Sequence, residues 1–273
     1  MIETKIISTK GDTNQTPIPL DTIGKAWFTA EIEDALMAGE IDIAVHSLKD
    51  VPPEIIPGSL VLPVLMREDP RDVLITKDGE MFVDLKEGAV VGTDSSRRRA
   101  QLLALRPDLI VRSIRGNIDT RLRKLREDQA EAQYDAIVIA AAGLARLGMS
   151  DVVTEFFDEK EFIPAPGQGV LAAQVRMDDT ESVDMLRKIQ DPMTVAAVEA
   201  EKSFIDTVGG GCKSPIGACA KIEGETLALY AMIAEDDGSR VTRDVEIALK
   251  SSAAAIGERL AKRMLVGRTM HVI

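Results

Sequence analysis

Aromatic residues are scarce: Phe, Tyr and Trp together make up 3% of the 273 residues. Cores must therefore be built mainly from Ile, Val, Leu, Ala and Met. Cysteine is scarcer still. Cys212 and Cys219 are too few for a disulfide framework and point to a reducing compartment. The two histidines, His46 and His271, lie far apart and match no metal-ligand spacing. A Ser-His-Asp hydrolase could run only through His46, and no G-x-S-x-G elbow is present. No apolar run reaches the ~18 residues of a membrane span. The start, Met1-Ile-Glu-Thr-Lys5, lacks the apolar core of a signal peptide, so none is expected. Positive charge is in deficit: 33 Lys and Arg against 45 Asp and Glu leave a net of −12. That argues against a generally basic binder of nucleic acids or membranes.

The chain is longer than the usual ~100–200 residues of one domain, so two or three domains are expected. Apolar residues make up 45%, enough for globular cores and too many for disorder. The charge is unevenly placed. Residues 97–126 hold nine Arg and one Lys against Asp108 and Asp119 alone, a net of +8, so the remainder sums to −20. An acidic protein with one basic stretch needs an explanation.

Short β-branched runs alternate with helical periodicity, which predicts an α/β fold. Lys5–Ser8 reads as a strand. Phe28, Ile32, Ala35 and Leu36 share one helix face, and Gly39 ends that helix. Ile41–Val45 reads as a buried strand running into His46-Ser-Leu-Lys-Asp50, and Pro52-Pro53 stops it. The polar residues at its carboxyl end fall where ligand clefts form in open α/β sheets. A second unit begins near Asp72, with strands at Val73–Thr76, Ala89–Gly92, Leu109–Arg112 and Asp135–Ile139. Thr93–Ser96 offers cap chemistry for a helix over Arg97–Leu105, and Asn117 or Asp119 for a helix to about Arg126. A short helix to Leu147 stops at Gly148. Pro164–Gly169 reads as a rigid connection into a strand at Val170–Val175. The third segment starts near Asp191-Pro192, with a helix over Thr194–Asp206, a loop at Val208–Gly211, strands at Leu227–Ile233 and Val241–Ala248, and a helix over Ser252–Leu265.

Three places could carry chemistry. Arg97-Arg98-Arg99 opens one helix, Arg115 follows a strand, and Arg121, Arg123, Lys124 and Arg126 lie along a second helix. Arg pairs with carboxylate or phosphate in bidentate fashion, and a helix start adds backbone donors. A solvated helix face is the plainer reading of any single Arg. Nucleic acid is another, but no aromatic residue lies between Val83 and Tyr134 to stack bases. A small molecule rich in carboxylates suits the pattern better. Asp50, beside Lys49 at the end of a strand, could serve as a general acid/base; a loop salt bridge is the alternative. Gly209-Gly-Gly-Cys212 clears space around a thiol, as a bulky partner would require. Cys219, in Ile216-Gly-Ala-Cys-Ala220, reads as a small buried residue.

Together these motifs resemble the porphobilinogen deaminase (hydroxymethylbilane synthase) family. The matching strings are Asp42-Ile-Ala-Val-His-Ser-Leu-Lys-Asp-Val-Pro52, Arg67-Glu-Asp-Pro-Arg-Asp72, Gly92-Thr-Asp-Ser-Ser-Arg-Arg98 and Arg115-Gly-Asn-Ile-Asp-Thr-Arg121. Ala140-Ala-Ala-Gly-Leu-Ala-Arg-Leu-Gly148, Pro166-Gly-Gln-Gly169 and Gly210-Gly-Cys-Lys-Ser-Pro215 continue them in family order over most of the chain. The resemblance implies a cytoplasmic, monomeric transferase of tetrapyrrole biosynthesis. It would condense four porphobilinogens, with loss of ammonia, into hydroxymethylbilane. It implies three α/β domains: residues 1–66 with 166–189, residues 67–165, and residues 190–273. The first two would be lobes like those of type II periplasmic binding proteins, and the third a small domain with a three-stranded antiparallel sheet. It implies a dipyrromethane cofactor held by a thioether to Cys212, Asp50 as the catalytic carboxylate, and no metal, nucleic acid or membrane. Lys49, Ser95, Arg97, Arg98, Arg115 and Arg121 would bind cofactor or substrate, with Thr93, Arg146, Gln168, Gly169 and Lys25 as further binding positions. A non-catalytic two-lobed binding protein is the competing class; Lys49-Asp50 and Gly211-Cys212 argue against it.

The chain also departs from the family pattern. Ile2-Glu-Thr-Lys-Ile6 resembles the family's second strand, so a first strand and helix with an Arg-x-Ser motif are expected to be missing from the first lobe, through truncation or a start assigned too late. Asp94 stands where many members have Ser. Leu20–Lys25 is shorter than in some relatives and keeps one Lys where they have two.

Overall fold

A computed structural model describes residues 2–9, 29–127, 133–209 and 215–269. In chain order the first half runs helix α1 (Ala30–Met37), strand β1 (Ile43–Ser47), a 3-10 turn (Leu48–Asp50), β2 (Ser59–Val64), β3 (Asp72–Thr76), β4 (Val90–Gly92), α2 (Ser96–Leu105), β5 (Ile110–Arg112) and α3 (Ile118–Arg126). The second half runs β6 (Ala136–Ala140), α4 (Ala141–Arg146), β7 (Glu155–Phe156), β8 (Leu171–Arg176), α5 (Thr180–Lys188), α6 (Pro192–Val208), β9 (Ile216–Glu223), β10 (Thr226–Ile233), β11 (Thr242–Leu249) and α7 (Ala253–Thr269).

These elements build three sheets. The first, in order β1-β8-β2, is antiparallel. The second has five strands in order β5-β4-β6-β3-β7, with β4 parallel to β5 and β6 and β3 antiparallel to β6 and β7. The third, β11-β10-β9, is antiparallel. The chain leaves the first sheet after β2, forms the second, and returns to the first as β8. It therefore crosses between the two sheets twice.

Burial explains the strand composition. One face of the second sheet packs Leu74, Val91, Leu102, Val138 and Phe162; the other packs Val73, Ile75, Ile114, Ile137 and Leu144. With both faces covered, every residue of β3 is buried, so its sequence shows no alternation. Phe157 stacks on Phe162 and meets Phe82 edge-on, so three of the few aromatics gather at one core. The third sheet packs Leu227, Leu229 and Ala231 against Phe204, Ile256 and Leu260 of its two helices.

The expected caps at Ser95 and Asn117 form, and Asp179 and Asp191 add two that were not expected. Ser95, Asn117, Asp179 and Asp191 each accept a backbone N–H of the first turn of the helix they precede. Asn117, not Asp119, caps α3. α6 ends at Gly209 in the left-handed region (φ +75), which needs no Cβ.

Other expectations are corrected. Residues 5–8 form no regular strand: no described strand pairs with residues 2–9, and Lys5 is tied instead to Glu40 by a 2.6 Å ion pair. The strand after α1 begins at Ile43, and only alternate residues are buried; Ile43 and Val45 are exposed. β2, β7, β9 and α5 went unread. β2 carries Pro63, which a strand tolerates at a sheet edge, and an edge is where β2 lies. β9 carries Gly217, where a Cβ would stand 2.9 Å from the Ile163 carbonyl oxygen.

α6 and α7 approach closely at Gly257. A Cβ there would lie 2.7 Å from Phe204 N and would press on the Ala200 carbonyl. Gly257→Ala is expected to cost about 1–3 kcal/mol by forcing the helices apart, read as a lowered thermal midpoint.

Candidate active site

The centre of the site is one carboxylate. Asp72, the first residue of β3, is 0% exposed. Arg97 Nη1 donates to its Oδ2 at 2.7 Å, and Arg98 Nη2 and Nε donate to its Oδ1 at 2.7 and 3.0 Å. Both guanidiniums are themselves buried, at 4% and 6% exposure. Arg97 also donates to the Ile163 carbonyl and Arg98 to the Val138 carbonyl. Burial alone would raise the Asp72 carboxyl. The two guanidiniums outweigh it and hold the group well below the usual carboxylate range. Two cations on one anion leave an excess positive charge.

Gln168, buried on the return crossover, extends the cluster. Its Nε2 donates to Asp72 Oδ1 (2.9 Å) and to the Pro70 carbonyl (2.6 Å). Its Oε1 accepts from Lys49 Nζ (3.2 Å) and, at longer range, from Arg98 Nη2 (3.5 Å). Lys49 lies in the 3-10 turn after β1, so the first sheet delivers a cation to the Arg pair of the second. Burial pushes the Lys49 ammonium down to about 8; Asp50 and Asp72 pull it up, and Arg98 and Arg97 push it further down. Asp50, next in the turn, is exposed. The half-buried Arg121 on α3 lies in the field of Arg98, Asp94, Asp50 and Arg115. Its Nε donates to the Gly116 carbonyl (2.8 Å).

The remaining candidates fall around this cluster. Thr93 is buried and its hydroxyl accepts from Ser95 N (3.2 Å), while Ser95 caps α2. Arg115 pairs with Asp94, Nε to Oδ2, at 2.7 Å. Arg146 is exposed and donates to the Gly169 carbonyl (2.9 Å). Gly169 sits at φ +87 with its α-carbon against the Glu68 carbonyl, where a side chain would not fit. Cys212 and Lys25 lie outside the described residues. Cys219 is buried, and burial pushes its thiol up to about 12, so it is no nucleophile.

Sequence reasoning did not single out three structural carboxylates, Asp72, Glu201 and Glu33. Asp72 sat inside a recognised string, but nothing in its neighbours marks it as fully buried. Glu201, on α6, is 1% exposed and accepts from Arg67 Nη1 (2.5 Å), Gly167 N (2.7 Å) and Ala220 N (2.7 Å). It thus ties both crossovers to the third sheet. Glu33 accepts from Gln174 Nε2 (2.9 Å), which also donates to Ser59 Oγ, while Gln174 Oε1 bonds His46 Nε2 (3.0 Å). His46 is thereby held in a buried structural network rather than in a hydrolytic triad.

Residues 1–184 match the family model described as "Porphobilinogen deaminase, dipyromethane cofactor binding domain", and residues 195–266 match "Porphobilinogen deaminase, C-terminal domain". The chain belongs to the porphobilinogen deaminase family. The porphobilinogen deaminase of Roseiflexus castenholzii is 46% identical over 260 residues, spanning 95% of this chain and 84% of its own length. That of Syntrophobacter fumaroxidans is 43% identical over 265 residues, spanning 97% and 84%. That of Geobacillus kaustophilus is 44% identical over 271 residues, spanning 96% and 86%. Porphobilinogen deaminases are the hydroxymethylbilane synthases of tetrapyrrole biosynthesis, and this chain is an enzyme of that class. Among the described residues no helix is long and apolar enough to cross a membrane.

Asp72→Asn leaves two buried guanidiniums sharing no anion. It is expected to destabilise the fold by about 3–5 kcal/mol in denaturant melts at neutral pH. Because the folded-state pKa is lowered, the stability from Asp72 is complete above its unfolded value of about 4 and is lost as pH falls below it. The gap between wild type and variant should therefore narrow only in acid.

Proposed function

We propose that the cleft between the first two sheets holds a chain of pyrroles by its carboxylates, with Asp50 as the catalytic group. One observation carries the reading. Lys49 and Arg121 lie in the field of an exposed Asp50, Arg97 and Arg98 in that of Lys49, and Arg115 in that of Arg121, and these cations outnumber the carboxylates that pair them, Asp72 and Asp94. Porphobilinogen brings an acetate and a propionate, so a growing chain of such units is a polyanion. A guanidinium cluster in a partly dry cleft suits that ligand better than a neutral one.

The donor set also fits the dipyrromethane cofactor, which is built from two such units. When bound, that group supplies the nucleophilic pyrrole carbon to which the first substrate is joined. Cys212 would hold it through a thioether, three residues beyond the left-handed end of α6 at Gly209 in sequence. Arg97, Arg98, Lys49, Arg115 and Arg121 would take carboxylates, Ser95 and Thr93 would add hydroxyls at the start of α2, and Gln168, Gly169, Arg146 and Lys25 would complete the lining.

As ammonia leaves porphobilinogen, positive charge spreads over its pyrrole ring. An open carboxylate at Asp50 stabilises that charge and accepts a hydrogen bond from the ring N–H. Lys49, beside it, holds a side-chain carboxylate. Four substrates condense in turn, four ammonias leave, and water frees hydroxymethylbilane.

The same reading divides the chain into three domains: residues 1–66 with 166–189, residues 67–165, and residues 190–273. The double crossover between the first two sheets supports two lobes like those of type II periplasmic binding proteins. The reading has the enzyme acting as a monomer in the cytoplasm, and the free buried thiol of Cys219 suits a reducing compartment.

Intact-mass analysis of the purified chain should show a dipyrromethane adduct that Cys212→Ser abolishes. Asp50→Asn should keep the adduct and the fold while lowering turnover by about a hundredfold or more. An Asp50→Asn enzyme with normal turnover would remove Asp50 from the chemistry.

Lys49 gives the site a pH dependence. Its ammonium is charged below about 8 and neutral above it, so KM for porphobilinogen should rise as pH passes from 7 to 9. Lys49→Arg, charged throughout, should flatten that rise in steady-state assays.

A further inference from the structure

The two carboxylates in the Arg-rich lining differ in one respect that decides what each can do. Asp72 is sealed between Arg97 and Arg98, with no exposure at all. Asp94 pairs with Arg115 in the open: their side chains are 29% and 26% exposed. Water can solvate either partner if the pair parts, so the Arg115 pair can exchange while the Asp72 cluster cannot.

The surroundings of Asp94 suit it to part from Arg115. It lies between the end of β4 and the cap of α2, where the first-turn N–H groups favour negative charge. It also accepts a hydrogen bond from Ser113 Oγ. The Ser113 carbonyl is in turn held by Tyr134 OH (2.6 Å), so the donor is fixed to the sheet. Asp94 would keep these partners after losing Arg115. On the other side, Lys124 Nζ bonds the Arg115 carbonyl (2.9 Å) and fixes the backbone from which the guanidinium reaches. Both ends are anchored, and only the contact between them is open. Arg121 lies in the field of both Asp94 and Asp50, so the exchangeable pair belongs to the lining that faces the catalytic carboxylate.

We propose that Asp94 is a built-in competitor for substrate carboxylates at Arg115. The inference rests on the reading of Arg115 as a carboxylate-binding residue. An incoming acetate or propionate takes the guanidinium and releases Asp94 to Ser113, the start of α2 and water; when the substrate group moves on, Asp94 returns. Affinity at this position is set low on purpose of exchange, so a lengthening chain can let go of Arg115 as readily as it engages it. Asp94 is thus a positioning residue that acts through Arg115, not a group that touches the reacting atoms.

The test uses the cofactor-loaded full chain with Asp94→Asn, Asp94→Glu, Arg115→Gln and the Asp94→Asn/Arg115→Gln double variant. Two quantities are measured: KM and kcat for porphobilinogen, and calorimetric affinity for a non-reacting pyrrole that carries acetate and propionate but no aminomethyl group. Asp94→Asn retains an acceptor for Ser113 and should lower both KM and Kd about three- to fivefold, with kcat no higher. Asp94→Glu, which restores the charge, should return both values toward wild type. The gain should vanish in the double variant, because it runs through Arg115. An Asp94→Asn enzyme that binds the pyrrole no tighter, or a gain that survives in the double variant, overturns the competitor role while leaving Arg115 as a binding residue. Arg115→Gln with wild-type KM and Kd overturns the binding role of Arg115 itself, and the competitor role falls with it.

Discussion

The site depends on one buried carboxylate. Asp72 could not be ionised at 0% exposure without Arg97 and Arg98, and those guanidiniums could not be buried without Asp72. The triplet fixes the first turn of α2 against the first residue of β3. It also orients Gln168, which carries the contact on to Lys49 and so to the turn that holds Asp50. Because the triplet keeps a net positive charge, the scaffold it forms also favours anions nearby. Lys49 is lowered chiefly by its burial, and the neighbouring Arg98 and Arg97 lower it further.

A second buried carboxylate performs the mechanical counterpart. Glu201 gathers Arg67 from the outgoing crossover, Gly167 from the returning one and Ala220 from β9. The helix that bears Glu201 ends at Gly209. Glu201 thus fixes α6 and β9 of the third sheet to the two crossovers through one charged side chain. Ala100, Ile163, Cys219 and Met232 add a small apolar contact beside it. Cys219 belongs to this contact, which explains a thiol with no chemistry of its own.

Asp72 and Asp94 show how burial divides one kind of ion pair into two uses. A sealed pair sets geometry permanently, since parting would strand a charge in a dry interior. An open pair holds its Arg in place between ligands and yields when another carboxylate arrives. The acidic excess of the whole chain has no bearing on this balance: the ligand meets the local field of the Arg cluster, and distant surface carboxylates are screened.

Much of the fold was legible in the sequence. The caps Ser95 and Asn117 use local chemistry, and β3, β4, β6 and β10 are largely apolar runs. β2 and β9 were not legible, because Pro63 and Gly217 break the strand pattern for reasons that lie elsewhere: a sheet edge in one case, the Ile163 carbonyl in the other. At the site, residue types and motif order identified Lys49, Asp50 and the Arg cluster, since a polyanion demands such residues whatever the exact geometry. The sequence by itself thus determined the family and placed one basic stretch in an acidic chain. Only the tertiary structure decided which carboxylates oppose those cations, which pairs are sealed, and how Glu201 joins three sheets. Such contacts link residues as far apart as Arg67 and Glu201, and burial at that range leaves no trace in local spacing.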